Sequence, residues 1–290
     1  MELTIESIEE VLSHLYVDGG RDLDLRSVTF IDPYALLVLD LAVRDARATG
    51  RPLRVEWPTL PAVRRWMIDM RFFADTKAVS PDLPLRETGN ALQPIMSIES
   101  ERHVSHLVAA FERRLSERFP IDDAPRRRFL RILLELCQNI PQHSNATGDV
   151  PDPHGIAAMQ DYDDGVLLAI ADKGIGFRRS LALRGGMDDL RDTAAISSVV
   201  LDGISRFRDP GHGRELQRIF RLVRAWDGTI AIRSGGALLY HGPLGGDLYD
   251  VAPFPGVQIA LRIPRRVFGI GEPPDGEPGV AAGGGSGFNE

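Results

Sequence analysis

The sequence predicts a protein of the α/β (α+β) class, in which a small N-terminal α/β domain precedes a larger α/β sandwich. Two observations support this prediction. Short β-prone runs alternate with helical apolar stripes over residues 1–85, and an amphipathic helix is followed by a continuous apolar run in the second half. We expect residues 1–85 to be the first domain, 86–97 a linker, 98–266 the second domain, and 267–290 a disordered Gly/Pro-rich tail.

Composition narrows the class of protein. The chain has 290 residues, of which 43% are hydrophobic and 26% charged, as in an ordinary globular protein. Its net charge of −7 argues against general nucleic-acid binding. The single cysteine, Cys137, excludes an internal disulfide and lies in an apolar helical pattern, which predicts a small buried hydrophobe. The chain opens without a signal-peptide pattern, and its longest apolar run, residues 34–43, is too short to span a bilayer, so we expect a cytoplasmic protein.

The first domain is predicted to contain a small sheet with helices packed on it. Pro33 is suited to the first turn of a helix, and Gly50 to the position just after its end. In chain order, we expect strands over residues 22–25 and 28–31, a helix from Pro33, a strand over 53–57 and a second helix over 60–73.

Residues 23–55 resemble the STAS domain, the anti-sigma-factor-antagonist fold. In that family, the strand-to-helix turn after an aspartate carries serines, one of which is phosphorylated. Asp32 is retained here, but Pro33 and Tyr34 stand at the serine positions. The resemblance therefore implies a docking or scaffold domain and no phosphorylation switch. The alternative is an unrelated small α/β domain.

The second domain contains a helix with polar side chains beside its apolar stripe. Glu135 and Asn139 are four residues apart, so they stack one turn above the other, and His143 continues the same strip. A carboxylate can act as a general base, and an amide oxygen can ligate Mg²⁺. This spacing alone is more often structural. Pro141 should kink or end the helix. The apolar stripe consists of Phe129, Ile132, Leu133, Leu136 and Ile140.

Two glycine-containing motifs follow this helix. A buried strand over residues 166–171 ends at Asp172, whose carboxylate can accept a hydrogen bond from an exocyclic amine such as that of adenine. Gly174 and Gly176 let the backbone approach a ring closely. Gly211 and Gly213 then precede a helix with an apolar face, where free N–H groups can face phosphate. Strands over 229–233 and 257–263, with a turn at 234–236 after the first, complete the domain.

The order and spacing of these motifs resemble the GHKL ATPase family, shared by histidine kinases, anti-sigma-factor kinases, gyrase, Hsp90 and MutL. The resemblance implies one mixed sheet covered by helices on one face. It also implies that Asp172 binds the adenine amine beside Gly174 and Gly176, that Asn139 ligates Mg²⁺, and that Glu135 polarises the attacking group. Gly211 and Gly213 would let a lid over residues 177–210 close on the phosphates.

The expected cofactors are therefore ATP and Mg²⁺. The leading hypothesis is a regulator that is a serine kinase of the anti-sigma type or a slow ATPase; the alternative is a non-catalytic nucleotide-gated switch that docks through the STAS-like domain. A protein partner of the sigma-factor or antagonist type fits both. We expect no direct nucleic-acid contact and no membrane contact, and a homodimer stays open.

Arginines near these motifs allow two interpretations each. Arg214 would contact phosphate or face solvent. The arginines before Glu135 would form either a surface for an acidic partner or a solvated helix face. They are Arg126, Arg127, Arg128 and Arg131.

Overall fold

The computed structural model describes residues 1–72, 91–118, 123–150, 154–207 and 214–268, and these residues form an α+β fold. The helices are α1 (Ile8–Tyr16), α2 (Pro33–Ala48), α3 (Pro61–Asp69), α4 (Glu101–Arg118), α5 (Asp123–His143), α6 (Gly176–Ala182), α7 (Asp192–Val200) and α8 (Glu215–Ala225). The strands are β1 (Glu2–Leu3), β2 (Asp22–Asp24), β3 (Phe30–Ile31), β4 (Arg54–Glu56), β5 (Ala91–Ile98), β6 (Gly155–Tyr162), β7 (Gly165–Asp172), β8 (Thr229–Gly242) and β9 (Gly245–Pro264).

The main sheet has five strands in the order β5-β6-β7-β9-β8, and every neighbouring pair is antiparallel. The predicted mixed sheet was therefore wrong. The physical reason is that short hairpins join β6 to β7 and β8 to β9, which forces each of these pairs to run in opposite directions. The turn expected at residues 234–236 is also not a turn, because β8 continues through it with register shifts on both sides of Gly235.

The first 72 residues have the predicted helices and strands in the predicted order. The helix α2 begins at Pro33 and is capped by Asp32, whose side chain accepts a hydrogen bond from the Ala35 amide at 2.7 Å. Gly50 follows its end with φ +70°. The strands differ from the prediction in one respect. They form two separate parallel pairs, β1 with β3 and β2 with β4, and no single small sheet.

The helix α2 is buried along its first eleven residues, Pro33 to Val43. It packs against β6, β7 and β9, on one face of the main sheet. The sheet residues on this face are mostly alanines, which let the helix approach the strands closely. The first 72 residues therefore share their hydrophobic core with the sheet. The alanines are Ala158, Ala169, Ala171, Ala231 and Ala260.

The opposite face of the sheet carries larger side chains, including Val166, Leu168 and Ile170, and packs against α4, α5, α7 and α8. Neighbouring residues along β7 therefore face opposite sides, as the two-residue period of a strand requires. The sheet is thus covered on both faces, where the resemblance implied helices on one.

The predicted linker and tail are shorter than expected. Residues 91–97 of the predicted linker belong to β5, which pairs with β6 as an edge strand. At the other end, residues Arg265–Phe268 form a 3-10 helix, and Phe268 is fully buried with its ring 5.6 Å from that of Phe129. Both segments bury apolar side chains, which outweighs their glycine and proline content. Residues 86–90 and 269–290 lie outside the described residues.

Among the described residues, no helix has both the length and the apolarity that crossing a bilayer requires.

Candidate functional site

The helix α5 carries both polar residues that the sequence singled out. Glu135 is 16% exposed, and its Oε1 accepts a hydrogen bond from Arg131 Nε at 2.8 Å. Arg218 of α8 brings a second guanidinium within 3.8 Å of the same oxygen. The helix ends at His143, two residues after Pro141, as expected for a proline that removes a backbone donor. Glu135 is therefore held by two arginines at the point where α5 and α8 meet.

Asp172 lies buried at the end of β7. Its Oδ1 accepts a hydrogen bond from the Gly174 amide at 2.6 Å, and the Val257 amide also donates to the carboxyl. Burial raises the pKa of Asp172 to about 7, against the opposing effect of these two hydrogen bonds. A buried carboxyl with no cation in contact is costly, which is why such groups are often functional.

Three glycines allow the chain segments around Asp172 to meet. A Cβ on Gly174 would lie 2.4 Å from the Cα of Ser144, just after α5. Gly176 has φ +69°, a backbone conformation that favours glycine. A Cβ on Gly256 would lie 2.0 Å from the Asp172 carbonyl oxygen. The sequence analysis missed Gly256, although a lone glycine inside a strand pattern often marks such a close approach.

A cavity of about 300 Å³ lies between α5 and the sheet. It brings together four of the predicted site residues: Glu135, Asn139, Asp172 and Gly176. Gly174 lies beside it, lining a neighbouring groove. Gly211 and Gly213 lie outside the described residues. Most of the other lining is apolar, which is typical of small-molecule pockets. It includes Leu136, Ile140, Ile170, Ile175, Leu216 and Ile259.

Arg206 is the one cation among the described lining residues of this cavity. Its Nη2 donates to the Gln142 carbonyl at the end of α5 at 2.9 Å. Its Nε is buried without a hydrogen-bond partner in the described part of the chain, and burial lowers the pKa of the guanidinium. Arg184 fixes the next residue by donating to the Phe207 carbonyl at 3.0 Å. The sequence pointed to a motif ending at Arg206 but assigned the residue no role.

The neighbour of Asp172 faces the other way. Lys173 is 4% exposed, and its Nζ lies 3.6 Å from Asp45 Oδ1 on α2. It therefore contacts the first 72 residues, while Asp172 faces the cavity. The same alternation explains why only one of these two charged residues lines the pocket.

The predicted lid contains two helices, α6 and α7, on either side of Gly185 and Gly186, whose φ angles are +80° and +77°. The Gly236 amide donates to Asp192 Oδ2 at 2.7 Å, which attaches the start of α7 to β8. Lid closure stays a prediction.

No cluster of three His, Cys, Asp or Glu side chains that could hold a metal ion occurs among the described residues. A magnesium ion at Asn139 would therefore need phosphate oxygens and water for its remaining ligands, an arrangement that Mg²⁺ commonly adopts.

No protein-family model matches this chain, and no curated protein matches it in sequence.

Proposed function

We propose that the protein binds an adenine nucleotide with Mg²⁺ in the cavity between α5 and the sheet, and that the bound nucleotide controls a regulatory event. The observation that carries this proposal is one cavity lined by the buried carboxyl of Asp172 and by Asn139 of α5. It supplies an acceptor for the adenine amine and an amide oxygen for the metal.

The lining residues fit such a ligand in three respects. A volume of about 300 Å³ lies at the lower end of the range of small-molecule pockets. The partnerless Nε of Arg206 is a donor available to a phosphate oxygen. The glycines around Asp172 keep the backbone close enough for a flat ring to contact it. Mg²⁺-ATP would supply a transferable phosphoryl group and a metal that neutralises its charge.

Two functions compete for this site. In the first, the protein is a serine kinase of the anti-sigma type or a slow ATPase, in which Glu135 takes a proton from the attacking hydroxyl or water. In the second, it is a nucleotide-gated switch that performs no chemistry. Two observations favour the second function: Glu135 already accepts a hydrogen bond from Arg131, and Tyr34, at the STAS acceptor position, is 1% exposed.

Calorimetry with Mg-ADP tests nucleotide binding. We expect wild-type protein to bind and Asp172→Asn to weaken binding about tenfold or more, since a hydrogen bond to a charged group contributes about 1.5–3 kcal/mol. Asp164→Asn is the matched control, because Asp164 lies in the hairpin at the other end of β7. No binding heat with wild-type protein, or equal affinities for the two variants, would refute the adenine assignment.

Turnover separates the two functions. A kinase or ATPase would release ADP or label a protein, and Glu135→Gln would lower the rate by about 10²- to 10⁴-fold, the usual contribution of a general base. A switch would bind Mg-ATP without turnover, and nucleotide would instead change hydrogen exchange in α2. Turnover that is unchanged in Glu135→Gln would exclude Glu135 as the base.

A further inference from the structure

The outer faces of α5 and α8 carry a row of exposed arginines, here called the arginine strip. It consists of Arg128 and Arg131 on α5, and Arg214, Arg218, Arg221 and Arg224 at the start of and along α8. On α8, the arginines lie opposite the buried side chains Leu216, Ile219, Phe220 and Val223. The strip therefore faces solvent.

Contacts between the two helices place one end of the strip at the cavity. Arg131 and Arg218 both contact Glu135, and Arg218 also lies 3.6 Å from Glu215. Glu135 and Glu215 both line the cavity. The helix α5 approaches the cavity with its C-terminal half and α8 with its N-terminal end. The strip therefore leads from the cavity outward, and Arg128 lies about 10 Å along α5 from Glu135.

The strip has an excess of positive charge. Its six arginines are accompanied by only two glutamates among the side chains described on these two helices, Glu135 and Glu215. The chain as a whole has a net charge of −7, so this surface is opposite in sign to the rest of the molecule. A local reversal of this kind steers a partner of opposite charge to one place on the surface.

The chemistry of the strip favours protein carboxylates over nucleic acid. Arginine forms two parallel hydrogen bonds with a carboxylate, which suits Asp and Glu side chains. Surfaces that bind single strands also present aromatic side chains for base stacking. None of the exposed large hydrophobic residues among those described lies on α5 or α8.

We propose that the arginine strip docks an acidic segment of a partner protein and guides it to the opening of the nucleotide cavity. This inference rests on the proposed function, since it supplies the partner for the same site. The acidic segment would displace Arg131 and Arg218 from Glu135, because its carboxylates compete for the same guanidinium groups. Docking would thereby release the Glu135 carboxylate.

Fluorescence anisotropy with a labelled oligoglutamate peptide tests the proposal on the full chain. We expect wild-type protein to bind this probe, with affinity that falls as salt is raised. The double variant Arg128→Glu, Arg221→Glu should bind at least about tenfold more weakly. The control Arg51→Glu, Arg54→Glu has the same change in net charge at exposed positions in the first 72 residues, and should stay within about twofold of wild type.

Three results would overturn the proposal: no oligoglutamate binding by wild type, an equal loss in the control variant, or tighter binding of a single-stranded oligonucleotide that the strip variant abolishes. Calorimetry with Mg-ADP keeps this proposal separate from the proposed function. A chain that binds Mg-ADP but not oligoglutamate refutes the docking surface alone. A chain that binds oligoglutamate through the strip but not Mg-ADP refutes the nucleotide site and supports docking.

Discussion

The two faces of the main sheet are built from different side chains. The face toward α5 and α8 carries Val166, Leu168 and Ile170 on β7 and borders the candidate nucleotide cavity. The face toward α2 carries Ala169 and Ala171 on the same strand. Large side chains hold the helices of the first face away from the strands, whereas alanines let α2 lie close to them. One face thus leaves room for a ligand, and the other attaches the N-terminal residues firmly.

The alanine face also contains buried charge. Arg233 is fully buried, donates to the Ala252 carbonyl at 2.7 Å, and pairs with Glu9 of α1. Lys173 and Asp45 form a second pair across the same junction. Buried charges tolerate little displacement, so they fix the orientation of the N-terminal residues on the sheet.

The largest effect should come from removing the buried charge on the α2 side. Arg233→Ala leaves Glu9 without its partner and should lower the free energy of unfolding by about 3–5 kcal/mol. Arg262→Ala is the control, because its pair with Asp164 is exposed and should contribute less than about 1 kcal/mol. Urea denaturation measures both. Equal losses would mean that burial does not distinguish the two pairs.

The contrast in side-chain size predicts a smaller effect. Ala169→Leu adds volume where α2 lies close to β7 and should destabilise the fold by about 1–3 kcal/mol. Ile170→Val, on the opposite face of the same strand, removes one methyl group and should cost about 0.5–1.5 kcal/mol. If Ala169→Leu were neutral, the close contact between α2 and the sheet would be wrong.

Each face also has one buried carboxyl whose pKa burial raises to about 7, Asp32 on the α2 side and Asp172 at the cavity. Because the folded state holds these protons more tightly than the unfolded chain, the stabilisation is complete below about pH 4 and is lost as the pH rises to about 7. Asp172→Asn should therefore flatten part of this loss in urea denaturation at stepped pH. A steeper loss in the variant would contradict the assignment.

Mg-ADP should separate the two carboxyls further. An adenine amine that donates to Asp172 favours the ionised form, so the nucleotide should lower the pKa of Asp172 and leave that of Asp32 unchanged. Carbon-detected NMR titration of the side-chain carboxyls measures both values in one sample. A shift of Asp32 alone would place the ligand on the wrong face of the sheet.

The smallest effect concerns Cys137, which is fully buried in α5, as the sequence predicted. Burial raises the pKa of its thiol, so a thiol reagent should modify native protein only as α5 opens. Bound Mg-ADP should slow this labelling further, since the ligand contacts the same helix. Labelling at the rate of an exposed thiol would contradict the packing of α5.

The sequence predicted the elements better than it predicted their neighbours. Pro33 and Gly50 gave the limits of α2, and the apolar run before Asp172 gave β7, because these signals are local. The strand β5 was hidden by polar residues and Pro94, since an edge strand is specified by pairing with β6. A clue to the sharing of the core was present in residues 34–43, because a helix that is apolar all round is buried on all sides.

The site followed the same rule. Asp172, Glu135 and Asn139 were recognisable because motif spacing placed them, and the structure brings them to one cavity. The contacts of Arg206 and Gly256 depend on chain segments that meet only in the folded protein, and no local pattern encodes such meetings. The positions of Gly211 and Gly213 stay predictions.

The burial of α2 has a consequence for the birth of the protein. The ribosome finishes this helix long before it reaches β7, and β9 comes last. At synthesis rates of about 5–20 residues per second, an apolar helix waits several seconds for its strands. Nascent chains stalled before β7 should therefore recruit chaperones that full-length protein does not.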